Sequence, residues 1–289
     1  MPTPAPSRAP RRPEPDADRA GRIAAAAVLA LRLERDTYPK PGLVSHVDSG
    51  SHADMDAATF EASTVAIAPY FADLAAAGAR DAPMSALRRI GIAAEAAMRD
   101  ATGGVNTHRG AIFGLGLLCA AAGSFAGQPV GPGALGARVR LRYAAEIRDG
   151  PVLLHAAGAR ARRRHGVGGA PLEAASGFPN LYAVGLPALH RGRRLRPGDP
   201  EAARVETCLA LIATLEDTNL LHRGGAAGYG FARAAAAGFI ASGGVGQDGW
   251  RAAARAIHHA FVARRLSPGG AADLLAMTLF VDAVEAPRA

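Results

Sequence analysis

AIFGLGLLCAAAGSFAG, residues 111–127, carries no charge, and the uncharged run around it extends from residue 110 to 137. Its apolar part falls just short of the roughly 20 residues a membrane span requires. Gln128, Pro129, Gly131 and Pro132 follow it, with no aromatic belt. A helix buried on all sides at the centre of a soluble protein accounts for the run better. Such a helix must be wrapped by other elements, and the flanking sequence supplies them in helical form. Apolar residues recur at helical spacing through 20–36, 56–78, 84–101, 108–123, 136–149, 151–164, 200–216, 226–241, 247–265 and 269–284. Asp56, Pro83, Thr107, Pro151, Asp199 and Ser267 stand near segment starts as caps or first-turn residues. Gly78, Gly150, Gly166 and Gly243 mark ends or turns. The alternating Val/Ile runs that a doubly wound sheet needs are missing. The expectation is an all-α fold, one large domain of about ten helices.

The rest of the composition fits that reading. Hydrophobic residues make up 49% of the 289 residues but aromatics only 5%, so a core is affordable only if many Ala-rich helices approach closely. Residues 1–18 are rich in Pro, Arg and Ala without periodicity and read as a disordered tail, which leaves 19–287 as the helical domain. The apolar run at 23–31 passes directly into Arg32, Glu34 and Arg35 with no cleavage-like site, so a first helix is expected there and no signal peptide. Cys119 and Cys208 lie in apolar stretches and read as buried thiols in a reducing, cytoplasmic setting. The net charge of +8 suits small polyanions. Nucleic acid is disfavoured, because Arg clusters such as Arg160, Arg162, Arg163 and Arg164 have no stacking aromatics between them.

Five polar segments interrupt the Ala/Arg/Leu background. In the first, Thr37-Tyr38-Pro39-Lys40-Pro41-Gly42-Leu43-Val44, two prolines stiffen a loop around Lys40, the only lysine among 33 basic residues. A compact ammonium held there is suited to phosphate, unless its survival on a solvated loop is chance. In the second, His52, Asp54 and Asp56 could coordinate Mg²⁺ or supply a general base, or simply cap the helix that follows. The third is Glu95, the one acid between Asp81 and Asp100. It is either a surface carboxylate or a functional one.

The fourth segment is Gly103-Gly104-Val105-Asn106-Thr107-His108-Arg109-Gly110. Paired glycines let backbone N–H groups approach an anion, and Thr107 would open a helix whose N-terminus favours negative charge. GxxxxGK[ST] is absent, so this is not a P-loop. The fifth, Asp217-Thr218-Asn219 followed by Arg223, Gly224 and Gly225, repeats that logic: oxygen ligands, then an arginine and a glycine pair. A further turn, Ser267-Pro268-Gly269-Gly270, precedes the last helix.

YPKPGLV, GSHADMD, TGGVNTHRGAIFGLGLL, DTN with RGG, and SPGGAADLLA, in this order, resemble the triphosphoribosyl-dephospho-CoA synthases. The resemblance covers about residues 20–285, and its GVNTHRG and SPGG-ADLL segments are the most specific. It departs at Ser45, where an Asp often follows PGLV. Ala271 matches members serving malonate decarboxylase, whereas DTN with RGG is nearer the citrate lyase type; the malonate type is preferred.

Members are helical and join ATP to 3′-dephospho-CoA, releasing adenine. Their product is the prosthetic-group precursor of an acyl carrier subunit, passed on to an acyl-carrier-protein transferase. The resemblance implies an inverting displacement at C1′ of the ATP ribose. By analogy with inverting glycoside chemistry, two carboxyl-type groups share the proton work. Asp54 or Asp56 would then be the base, and Glu95 or His108 would assist adenine. Lys40, Gly103, Gly104, Asn106, Thr107, Arg109, Arg223, Gly224 and Gly225 would hold phosphates. Asp217 and Asn219 would hold Mg²⁺. A helical hydrolase of ADP-ribose-like nucleotides would use the same groups with water as acceptor. No membrane partner is expected, and a homodimer stays open.

Overall fold

The computed structural model describes residues 16–151 and 157–285. Residues 1–15 of the tail expected at 1–18, and the start of the helix expected from Pro151, lie outside the described residues, while 16–18 belong to the first helix and not to a tail. Among the described residues there are twelve α-helices and no strand. In order they are α1 (Asp16–Arg35), α2 (Ala57–Ala79), α3 (Met84–Ala101), α4 (Arg109–Gly123), α5 (Ala134–Arg148), α6 (Ala157–His165), α7 (Gly169–Ala175), α8 (Leu186–Leu195), α9 (Pro200–Thr214), α10 (Thr218–Ala241), α11 (Trp250–Ala263) and α12 (Gly269–Glu285). A π-helical turn, Leu181–Gly185, leads into α8, and a 3₁₀ turn, Gly244–Gly246, separates α10 from α11.

The uncharged segment is the central helix. In α4, Leu115, Leu118, Cys119, Ala120 and Ala121 are fully buried, and α1, α2, α3, α5 and α12 pack around it. With so few aromatics the helices must touch almost backbone to backbone. At Gly78 an added Cβ would lie 1.8 Å from the Ala120 carbonyl oxygen, and at Gly123 it would lie 1.9 Å from that of Ala75. These two glycines set the α2–α4 crossing, so Gly78, in the last turn of α2 where an end was expected, is also a packing residue. Both cysteines are buried in this core, and burial pushes their thiols up, away from the reactive thiolate. No helix among the described residues is long and apolar enough to cross a membrane.

Three departures from the expected segments matter for the site. The sequence reading passes over α7, the π-turn and α8, because Gly168, Gly169, Pro171, Gly177, Pro179 and Pro187 punctuate them. Thr107 does not open α4; His108 is its N-cap, and the Thr107 hydroxyl donates to Ser63 Oγ at 2.7 Å. The fifth segment is not a loop. Asp217 caps α10, which already runs through Asn219 and Arg223, and only Gly225 (φ 59°, ψ −164°) breaks its helical path.

The 37–56 loop is stitched to the far end of the chain. His258 Nδ1 lies 2.7 Å from the Lys40 carbonyl oxygen, and Ser51 Oγ donates to Leu266 O at 2.6 Å. Arg223 donates to Ser51 O and Arg265 O, and His52 Nε2 meets Ser267 Oγ at 2.9 Å. Segments more than 200 residues apart therefore form one wall.

Candidate active site

A cavity of about 860 Å³ opens where these segments meet. Residues from all five polar segments line it: Leu43 and Val44; His52 and Asp54; Glu95; Asn106, Thr107, His108 and Arg109; and Asp217, Asn219 and Arg223. Ser267, Gly269 and Gly270 of the last turn also reach it, and so, among others outside those segments, do Glu34, Arg162 and Asp273.

The N-termini of α4, α10 and α12 converge here, and two carboxylates tie them together. Asp217 is buried. Its Oδ1 accepts the N–H groups of Asn219 and Leu220 in α10, and its Oδ2 accepts that of Ala271 in α12 at 3.0 Å. Glycine at 269 and 270 makes room for this. A Cβ on Gly269 would lie 2.5 Å from Asn219 Nδ2, and one on Gly270 3.0 Å from Asp217 Oδ2. Asp273, one turn further along α12, sits against the first turn of α4, where a Cβ on Gly110 would lie 1.9 Å from Asp273 Oδ2. Burial, then the neighbouring Glu34 and Asp217, hold the Asp273 carboxyl well above the usual range, against a backbone hydrogen bond from Ala111. Burial likewise raises Asp217 despite its N–H donors, and Glu34 despite Lys40. The cavity thus holds acids biased toward their protonated forms inside a basic protein.

His108 is the other unusual group. Its ring is buried, Nδ1 lies 2.7 Å from Ser63 Oγ, and Phe60 packs edge-on at 4.8 Å. Nε2 has no hydrogen-bond partner. Burial, reinforced by the positive charges of Lys40 and Arg35, drops its pKa to about 3, so the imidazole is neutral. Arg109 pairs with Glu95 at 3.3 Å, and Arg99 approaches the same carboxylate at 3.8 Å. Arg162 lines the cavity with no ion pair among the described residues.

Several expected ligands are occupied or turned elsewhere. Lys40 is 1% exposed, ion-paired with Glu34 beneath the cavity wall, and absent from the lining. Neither the phosphate contact expected for it nor a solvated loop is what forms. Asp56 caps α2 in a box with Thr59 and does not line the cavity, which leaves Asp54, 3.6 Å from His52 Nδ1. Gly103 and Gly104 do not cradle an anion at the cavity. They close the C-terminal turn of α3, where the Gly104 N–H bonds Arg99 O at 2.7 Å. Gly224 packs against Leu266, Gly225 is the break in α10, and neither lines the cavity. Asp217 and Asn219 do not fit a resident Mg²⁺ site. The Asp217 oxygens already accept three N–H groups, and no cluster of three His, Cys or acidic ligands exists among the described residues.

Asp273, Glu34, Ser63 and Arg162 are the residues that the sequence reading left unassigned. Asp273 carried a usable signal, as the first charge after the SPGG turn in an otherwise apolar stretch.

Residues 20–289 match the family model described as ATP:dephospho-CoA triphosphoribosyl transferase. A 2-(5''-triphosphoribosyl)-3'-dephosphocoenzyme-A synthase of Klebsiella pneumoniae is 40% identical over 91% of each chain. Probable enzymes of the same name from Stutzerimonas stutzeri and Azotobacter vinelandii are 42% and 40% identical, over 91% and 92% of each chain. No solved structure matches. The chain is a transferase and belongs to the ATP:dephospho-CoA triphosphoribosyl transferase family.

Proposed function

We propose that this protein transfers the 5-triphosphoribosyl group of ATP to the 2′-hydroxyl of 3′-dephospho-CoA, releasing adenine, and that the product serves malonate decarboxylase. The observation that carries the reading is the single cavity in which the family-like segments meet the acids Asp273 and Glu34. At about 860 Å³ it lies toward the upper end of the roughly 300–1,000 Å³ usual for ligand sites, as two nucleotides require. Ala271, buried with its N–H on Asp217, is the residue that favours the malonate type.

In this mechanism Asp54, on the exposed side of the cavity, takes the proton of the attacking hydroxyl. The C1′–N9 bond breaks with its electron pair going to adenine. The carboxyl of Asp273, kept protonated, returns a proton to the base, so proton loss and gain balance. Glu95 is held by Arg109 and Arg99, so of the two expected leaving-group residues His108 is the one with a free atom. Arg109, Arg223 and Arg162, with Asn106, line the cavity and would hold phosphates, whereas the Thr107 hydroxyl proton goes to Ser63. Mg²⁺ enters with ATP as its counter-ion and belongs to the substrate.

The test is incubation with ATP, Mg²⁺ and dephospho-CoA. Free adenine should form only when dephospho-CoA is present. Adenine without the acceptor would mean a hydrolase, and ADP or phosphate as the sole product would refute the transfer.

A further inference from the structure

Ser63 is a polar residue at 0% exposure in the middle of α2, and nothing in the proposed chemistry yet uses it. Its hydroxyl does not turn back to a carbonyl of its own helix, as that of Thr64 does to Phe60 O. It stands instead between Thr107 Oγ1 at 2.7 Å and His108 Nδ1 at 2.7 Å. The imidazole it meets is fixed on its other sides. Phe60 lies edge-on to the ring, and the His108 backbone N–H is directed at Met98 Sδ at 3.2 Å. His108 lines the cavity, and its Nε2 is buried with no partner, although a buried polar atom ordinarily finds one. A satisfied row of two hydroxyls ending in one unsatisfied nitrogen is the arrangement expected of a group whose partner arrives with the ligand.

Counting protons fixes what that nitrogen offers. Each of the two contacts takes one proton. If Thr107 donates to Ser63, the Ser63 proton is free to point at Nδ1. A neutral imidazole that accepts at Nδ1 carries its one proton on Nε2. Lys40 and Arg35 are the charged groups that act on this ring, and both oppose a second proton.

We propose that Thr107, Ser63 and His108 form a hydrogen-bonded relay that holds the imidazole as its Nε2–H form and presents that N–H to N7 of the departing adenine. Ser63 is the positioning residue and His108 the group that touches the base. This rests on the transferase reading above. No proton is transferred at this contact. As the C1′–N9 pair moves onto the base, the Nε2–H bond stabilises the negative charge spreading to N7, and the proton that adenine finally carries still comes from the carboxyl acid. A neutral donor fits beside the basic side chains, since it adds no charge to the site. Its effect is greatest when charge develops on the base, so it acts on turnover more than on binding.

Two measurements on the full-length protein decide this. The first is ring ¹⁵N–¹H correlation of histidine-labelled protein, with His108 assigned by its loss in His108→Gln. The wild type should show an acceptor Nδ1 and a protonated Nε2. Ser63→Ala and Thr107→Val should shift His108 toward the other tautomer, and Thr107→Ser should restore the wild-type pattern. A protonated Nδ1 in the wild type, or a pattern indifferent to Ser63→Ala, overturns the relay whether or not the protein transfers anything.

The second is a cycle of ATP against 7-deaza-ATP in wild type and His108→Gln, reading kcat with dephospho-CoA. Removing N7 should slow the wild type roughly 100-fold more than it slows His108→Gln. Ser63→Ala should fall between them with its KM for ATP little changed. Equal slowing in wild type and His108→Gln overturns the contact with N7. Absence of adenine release by the wild type with ATP would instead fault the transferase reading, and with it the contact, while the tautomer measurement still judges the relay.

Discussion

Replacing Lys40 by methionine separates a phosphate ligand from a structural counter-ion. The ammonium is 1% exposed and its partner, the Glu34 carboxylate, 4%, so both charges of the pair sit out of water. Methionine keeps most of the side-chain volume but leaves Glu34 without its cation. Removing one member of a buried pair costs about 3–5 kcal/mol, because the other charge stays desolvated. At roughly 2–4 °C per kcal/mol for a chain of this size, the thermal midpoint should fall on the order of 10 °C.

The loss has a pH signature. Burial already raises the Glu34 carboxyl, and without Lys40 it rises further. A group whose folded pKa lies above its unfolded value contributes stability at low pH and loses it as pH rises through the folded pKa. The gap between wild type and Lys40→Met should therefore be smaller at pH 5 than at pH 8. Glu34→Gln combined with Lys40→Met should recover part of the loss, because no buried charge then remains. Urea unfolding of the three variants at both pH values measures all of this. A Lys40→Met protein with an unchanged midpoint and ATP binding weakened 10- to 100-fold would refute the argument and return Lys40 to the phosphates.

Gly110→Ala should be far more damaging to turnover than to folding. Its Cβ would lie 1.9 Å from Asp273 Oδ2 and must displace the acid, so kcat should drop about 100-fold for a stability loss of about 1–3 kcal/mol. Normal turnover by that variant would remove Asp273 from the mechanism. His108 should make the protein acid-sensitive. Its folded pKa of about 3 lies below the usual 6.5, so the unfolded chain binds the extra proton and stability falls as pH drops below 6.5. At pH 5 the loss is about 2 kcal/mol, and a His108→Gln protein should lack it; identical pH–stability curves would contradict a buried neutral ring.

The fold was largely legible because its decisive signals are apolar and local. The uncharged run reads as a central helix, and its 111–123 part is one, whereas the part that Gly78 and Gly123 play in the close approach of α2 and α4 emerges only from the packing. The 169–195 stretch was not legible, because glycine and proline punctuation reads as loop even where tertiary packing completes α7, the π-turn and α8. Within the site, sequence located the polar segments but not which members face inward. Asp54 and Asp56 differ by two residues and by whether the carboxylate is spent on Thr59. Lys40 sits in a loop that looks exposed, and only folding reveals Glu34 of α1 turned beneath it.

The glycines of the polar segments take on a different meaning once the carboxylates are placed. Gly110 and Gly270 clear space for Asp273 and Asp217 to reach the first turns of α4, α10 and α12, Gly269 does so for Asn219, and the Gly270 N–H itself bonds the Asp217 carboxylate. Those N-termini would otherwise present partial positive charge to any polyanion. Here that charge is partly met by acids belonging to the protein, one of which, Asp273, is pushed toward its protonated form by burial and by Glu34 and Asp217. A nearby negative charge raises a carboxyl pKa further. In the proposed reaction the triphosphate is that charge, so the arrival of ATP strengthens the protonated state of the acid that its own base requires. Binding and protonation are then coupled through Coulomb repulsion alone, and adenine departs from a site that its own phosphates have helped to load.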